Sequence, residues 1–156
     1  MERRNAKREI MIEIPLNELE VTVAREYLRL PEVQLGIWDT AIHEWFPAEP
    51  GGDPRCYHWV YRSETAWCEI PHPLTDANAR DALVAKLNRR GWDVEVNSYP
   101  TKPGSEHPVE VECYAMRGED AEQVGFVYWA PAAGEAVCNV CLQVVRSEKK
   151  TYENKP

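Results

Sequence analysis

A chain of 156 residues with 44% hydrophobic and 28% charged side chains has ordinary globular proportions, enough for one domain that buries a core without disulfide or metal staples. Its net charge of −8 at pH 7 lies mainly between the two ends, and an acidic surface repels the phosphate backbone, which argues against ordinary nucleic-acid binding. No run approaches the ~20 apolar residues a membrane span needs, and "MERRNAKREI" leads into a strand-like run rather than an apolar signal core, so a cytoplasmic protein with no membrane partner is expected.

In chain order, Ile10, Ile12, Ile14 and Leu16 alternate with Met11 and Glu13 in "REIMIEIPL", the pattern of a half-buried strand. Asn17 stands three residues before Glu20 as a capping-box start, and Leu19, Val23, Tyr27 and Leu30 recur at helical spacing up to Pro31, which predicts a helix over 18–29 with "VTV" as a β-leaning blemish. Leu35, Trp38, Ile42 and Trp45 again fall near a 3.6 period, predicting a second helix that Gly36 weakens and Pro47 closes. "PAEPGGDPR" reads as an exposed loop, and "CYHWVYRSETAWCEIP" as two short strands around "SET", because aromatic and β-branched residues fill both arms.

In "IPHPLTDANARDALVAKLNRRGWDVEV", Thr75 or Asp76 caps a helix whose buried stripe is Ala79, Leu83 and Leu87, Arg89 and Arg90 suit its C-terminal dipole, Gly91 stops it and Trp92 covers its end. "WDVEVNSY", "VEVECYAM" and "QVGFVYWA", separated by a proline-rich loop over 100–108 and a turn near "GED", predict an antiparallel meander. "PAAGEAVCNVCLQVV" then closes the domain as a helix. The fold class expected is α+β, an antiparallel meander flanked by helices in an α/β/α-type layering. Its parts are a strand and helical segment over 1–50 packed on the core, a sandwich core over 51–146, and a flexible charged tail over 147–156.

Chemistry-bearing patterns are few. Five scattered cysteines suit reduced thiols, and Cys138 and Cys141 in "CNVC" have no second CxxC or HxxxH, so core packing is the expected role. Cys56, His58, His72 and His107 lack metal-ligand spacing. Glu110 and Glu112 share a strand face, Glu119 and Asp120 sit in a turn, and Ser63, Ser98 and Ser105 lie in no nucleophile elbow. No cofactor is expected. What stands out is aromatic density: Tyr57, Trp59, Tyr61 and Trp67 lie within eleven residues, interleaved with Arg55, His58 and Arg62. Aromatic faces with arginine forks are what a base or nucleotide uses, and strand alternation puts Tyr57, Trp59 and Tyr61 on one face and His58 and Arg62 on the other.

"WVYRSETAWCEIPHPLTDANARDALVAKLNRRGWDVEV", followed by "APAAGEAVCNVCLQVV", resembles the phage ABA-sandwich domain family. The resemblance covers about residues 57–146. It is carried by a tryptophan-containing strand, a proline-bounded loop into a Thr-Asp cap, a helix ending in Gly-Trp, and an Ala-rich last helix with "AVCNVCL". It implies a bacteriophage or prophage accessory protein in a host cell, layered as helix, sheet and helix, with no assigned enzyme activity and no catalytic residues. The leading expectation is therefore a non-catalytic binding protein that blunts host defence by sequestering a nucleotide signal or occupying a host protein. Trp59, Tyr61 and Arg62 would hold the ligand, with His72 on the neighbouring loop. The alternatives are a homo-oligomeric assembly module using Trp38, Trp45 and Phe46, and a metal-assisted hydrolase built on histidines and carboxylates.

Overall fold

The computed structural model describes residues 14–49, 57–118 and 124–153. The strand expected over 10–16 lies outside them as far as Glu13, as do most of the loop over 47–55 and the turn after Gly118.

Helix α1 (Leu16–Thr22) runs without a break into a π-helical turn, Val23–Tyr27, closed by the Leu28 amide on the Val23 carbonyl at 2.9 Å. The β-branched Val21, Thr22 and Val23, crowded in a tight helix, stand where the winding loosens. The expected capping box is not formed: the helix starts after Pro15 with no side-chain cap, and the Glu20 carboxylate accepts the Leu74 amide at 2.9 Å instead. The chain leaves the π turn through Arg29 and Glu32, both at φ 53°, in the left-handed region.

The second helix expected before Pro47 is absent. Residues 34–47 form a β-hairpin, β1 (Gln34–Asp39) and β2 (Glu44–Pro47), with Trp38 directly opposite Trp45. A separation of seven residues is two helical turns, but it also spans a short hairpin, so the apolar spacing did not distinguish the two. Local chemistry decides: the Asp39 carboxylate accepts the Ala41 and Ile42 amides at 2.9 and 3.4 Å, and His43 adopts φ 54°. An Asp that bonds its own backbone two residues on offers the chain a turn in place of a helix.

The expected hairpin around "SET" is present as β3 (His58–Arg62) and β4 (Trp67–Glu69), with the Ser63 hydroxyl donating to the Ala66 carbonyl at 2.7 Å. These strands join β1 and β2 in an antiparallel sheet ordered β2-β1-β3-β4. Helix α2 (Ala77–Arg89) follows as expected, with Asp76 capping the Asn78 amide at 2.9 Å, Leu83 and Leu87 buried, and Gly91 at φ 90° just past the end. Strands β5 (Asp93–Pro100), β6 (Val109–Arg117) and β7 (Val124–Ala130) are the expected meander, in the order β5-β6-β7. Helix α3 (Ala133–Glu153) continues through residues 147–153, where the charged tail was expected to begin.

The class is mixed α+β with antiparallel sheet, as expected, with the strands divided between two sheets of four and three. The main core lies between one face of the three-stranded sheet (Val111, Cys113, Ala115, Phe126) and the helices, through Leu19, Val23, Tyr27, Leu83, Leu87, Val137, Val140 and Val144. Helix α3 is buried on every side from Ala136 to Val145, which is why its sequence there has almost no polar face. On the far side of α1, Val21 and Ala24 pack with Ile70, Trp59 and Tyr61 of the four-stranded sheet and its flank. The tie between π turn and α2 is polar as well: the Tyr27 hydroxyl donates to the Leu83 carbonyl at 2.8 Å and the Lys86 ammonium to the Tyr27 carbonyl at 2.9 Å.

Candidate ligand-binding groove

On one face of the four-stranded sheet Trp59 and Tyr61 pack against Val21 and Ala24 of the helical segment, and the other face carries a groove. Register places Trp59, Tyr61 and Cys68 on the first, and Gly36, Trp38, Trp45, His58, Val60, Arg62, Trp67 and Glu69 on the second. The sheet curls toward that second face, so that β2 touches β4 although neither pairs with the other. Gly36 makes the curl possible. A Cβ there would lie 2.5 Å from Val60 Cγ2 and 2.9 Å from the Phe46 carbonyl oxygen, and Val60 fills the space so completely that its exposure is 0%.

The curl leaves a groove of about 420 Å³ lined by Trp38, His43, Glu44, Trp45, Phe46, Arg62, Thr65, Ala66 and Trp67. That volume falls in the range of small-molecule sites. Trp38 and Trp45 meet edge to face at 5.3 Å between centroids, His43 lies 6.2 Å from Trp38, and His58 stands edge-on to Trp45 at 5.4 Å. On the opposite wall the Arg62 guanidinium lies over the Trp67 ring at 5.9 Å. Among the described residues no carboxylate comes within ion-pair distance of Arg62, which differs from Arg146, gripped by Glu26 through two bonds of 2.9 Å, and from Arg90, paired with Glu148. A guanidinium without a carboxylate partner among the described residues, over the half-buried Trp67 ring and across from the exposed Trp38, presents donors and a flat cation to whatever enters.

Of the four residues the sequence singles out, only Arg62 lines this groove. Trp59 and Tyr61 pack against Val21, Ala24 and Ile70, and the Arg25 guanidinium covers Trp59 at 5.1 Å. His72 lies on the loop after β4, outside the groove lining, between Glu20 and Glu69, 3.0 Å from each. Strand alternation divides the aromatic cluster as expected, and the face bearing His58 and Arg62 is the open one. Sequence reasoning assigned Trp38 and Trp45 to a helix stripe and treated Trp67 only as part of the cluster. The signal that joins the three is the shared parity of Trp38, Trp45, Arg62 and Trp67 once 34–47 is read as a hairpin.

Other candidate chemistry dissolves into the core. Cys138 and Cys141 are buried in α3, and burial pushes the Cys113 and Cys138 thiols up to about 12 and the Cys141 thiol well above its usual value, so none is a ready thiolate. Among the described residues no group of three or more His, Cys, Asp or Glu side chains converges on a metal position. His107 lies in the exposed loop between β5 and β6, where its carbonyl accepts the Thr101 hydroxyl, and Cys56 lies outside the described residues. No helix is long and apolar enough to cross a membrane among the described residues. No family model, no curated protein and no solved structure matches the chain.

Proposed function

We propose that the chain is a non-catalytic binding protein whose aromatic groove takes a planar ring carrying negative charge, a nucleotide-like ligand. The observation that carries this reading is Arg62, which has no ion-pair partner among the described residues and lies on the Trp67 ring at the wall of a groove that also holds Trp38 and Trp45. Each indole offers a flat apolar face for stacking, worth about 1–3 kcal/mol per base in single-stranded nucleic-acid sites, and the guanidinium supplies a forked contact to phosphate. Glu44 in the wall and the net charge of −8 disfavour a polyphosphate or a strand of nucleic acid, so one small ligand is the occupant. The setting rests on the sequence resemblance alone: a phage or prophage accessory protein in the host cytoplasm, where sequestering a nucleotide signal would counter host defence.

The test is quenching of tryptophan fluorescence by AMP, for wild type and Arg62→Ala. Saturable quenching that Arg62→Ala weakens tenfold or more supports the reading; no saturable quenching by AMP, or identical curves for both proteins, refutes it. A second reading, self-association through the β1–β2 hairpin, is favoured by Leu35, Trp38, Ile42 and Phe46, which stay 38%, 43%, 54% and 37% exposed on or beside it. Mass by light scattering that is concentration-independent and monomeric eliminates it.

A further inference from the structure

Both ring nitrogens of His72 face carboxylates, Nδ1 at 3.0 Å from Glu20 Oε1 and Nε2 at 3.0 Å from Glu69 Oε1. A neutral imidazole has one N–H and one lone pair, so it satisfies one carboxylate and turns a lone pair on the other; the imidazolium donates to both. The three residues come from different layers. Glu20 belongs to α1 and is fixed by the Leu74 amide on its second oxygen, His72 lies on the loop between β4 and α2, and Glu69 ends β4. Glu69 Oε1 also lies 3.5 Å from Nδ1 of His58, whose ring stands against Trp45 in the groove wall. The Arg80 guanidinium also reaches the loop, donating to the Pro73 carbonyl at 3.3 Å, and Gly134, which precedes Glu135 in α3, backs directly onto Pro73 and Leu74.

We propose that His72 is a proton-operated clasp between the helical layer and the four-stranded sheet, closed as the imidazolium and released on deprotonation, with the groove wall at Trp45 as its readout. Only the consequence for ligand binding rests on the reading of the groove given above. Partial burial opposes protonation of His72, but hydrogen bonds to Glu20 and Glu69 and the charges of both outweigh it, so its pKa is raised above the usual 6.5. A raised value in the folded state means that the clasp is fully closed below pH 6.5 and is lost as pH rises through the raised value. On deprotonation the remaining N–H stays on Nδ1, toward the Glu20 carboxylate that the Leu74 amide fixes, so Glu69 faces a lone pair, keeps His58 as its one ion-pair partner among the described residues, and His58 resets against Trp45.

The test is an NMR titration of the full chain without ligand, from about pH 5.5 to about pH 9, following histidine ring and tryptophan indole signals in wild type, His72→Gln, Glu69→Gln and His58→Gln. His72 is expected to titrate above 6.5, and the Trp45 indole to move with the same midpoint. Glu69→Gln lowers the His72 midpoint, His72→Gln abolishes the Trp45 movement at that midpoint, and His58→Gln uncouples Trp45 while His72 still titrates. A His72 midpoint at or below 6.5, or a Trp45 transition unchanged in His72→Gln, overturns the clasp. Should His72→Gln not fold, the Glu69→Gln midpoint decides: a fall supports the clasp and an unchanged midpoint refutes it. Because no ligand is present, a groove that binds nothing leaves this result standing.

Discussion

Replacing Gly36 by alanine tests the geometry on which the groove depends. In an unobstructed strand a Cβ is welcome, because glycine costs about 0.5–1 kcal/mol relative to alanine in such positions. Here the added carbon would stand 2.5 Å and 3.0 Å from the two Val60 methyl carbons and 2.9 Å from the Phe46 carbonyl oxygen, all well inside van der Waals contact. Val60 cannot swing aside, since it is β-branched and wholly buried, and the Phe46 carbonyl belongs to the neighbouring strand. Overpacking of this kind costs about 1–3 kcal/mol and overrides the propensity gain. For a chain of 156 residues that is a fall in Tm of about 2–12 °C, at about 2–4 °C per kcal/mol. Thermal and urea unfolding measure it, and Gly36→Ala should cost less in a Val60→Ala background than in wild type but still destabilise, because the clash with the Phe46 carbonyl remains. A Gly36→Ala protein as stable as wild type, with unchanged tryptophan fluorescence, would show that the sheet does not curl as described.

Gly134→Ala should also destabilise by about 1–3 kcal/mol, although alanine is the better helix former, because its Cβ would meet the Leu74 Cα and the Pro73 carbonyl oxygen at 2.7 Å, both backbone atoms; thermal unfolding reads the sign. Glu26 is held below its usual carboxylate range by its hydrogen bonds to Arg146, against an opposing effect of burial. Its contribution to stability is thus present above pH 4.5 and lost as pH falls through the lowered value, and urea midpoints for Glu26→Gln should depend less on pH in that acid range than those of wild type. Cys113, Cys138 and Cys141, buried and with raised pKa, should stay unreactive toward a thiol reagent in native protein while half-buried Cys68 reacts, with all five cysteines of the chain reacting in denaturant; native labelling of Cys138 would contradict its burial. Tyr27→Phe removes the hydroxyl that donates to the Leu83 carbonyl and should cost about 1 kcal/mol by urea unfolding.

Elements whose local signals and burial pattern agree were legible in the sequence. Asp76, the Leu83–Leu87 stripe and Gly91 each carry one structural instruction, and all three point to the helix that forms. The meander and the last helix were legible for the same reason, strict alternation in one case and a continuous apolar run in the other. The β1–β2 hairpin was not, because an apolar spacing of seven satisfies two periods and the deciding bonds from Asp39 leave no hydrophobic trace. The groove followed that misreading: Trp38 and Trp45 reach Arg62 and Trp67 only when Gly36 lets β1 close on β3. Glu20 shows the limit from another side. Its position three residues after Asn17 suits a capping box, yet a loop more than fifty residues away claims the carboxylate, and no local pattern encodes that distance.

The central claim, that the Trp38–Trp45–Trp67 groove with Arg62 is where this protein binds its ligand, is tested most directly by mapping the six tryptophan indole N–H signals with assignments made by substitution, then adding AMP. Saturable shifts of the Trp38, Trp45 and Trp67 signals, lost in Arg62→Ala, are expected, while the buried Trp92, the helix-facing Trp59 and Trp129 of the other sheet hold still. Shifts confined to Trp59, Trp92 or Trp129, or none in the groove at saturating AMP, would contradict it.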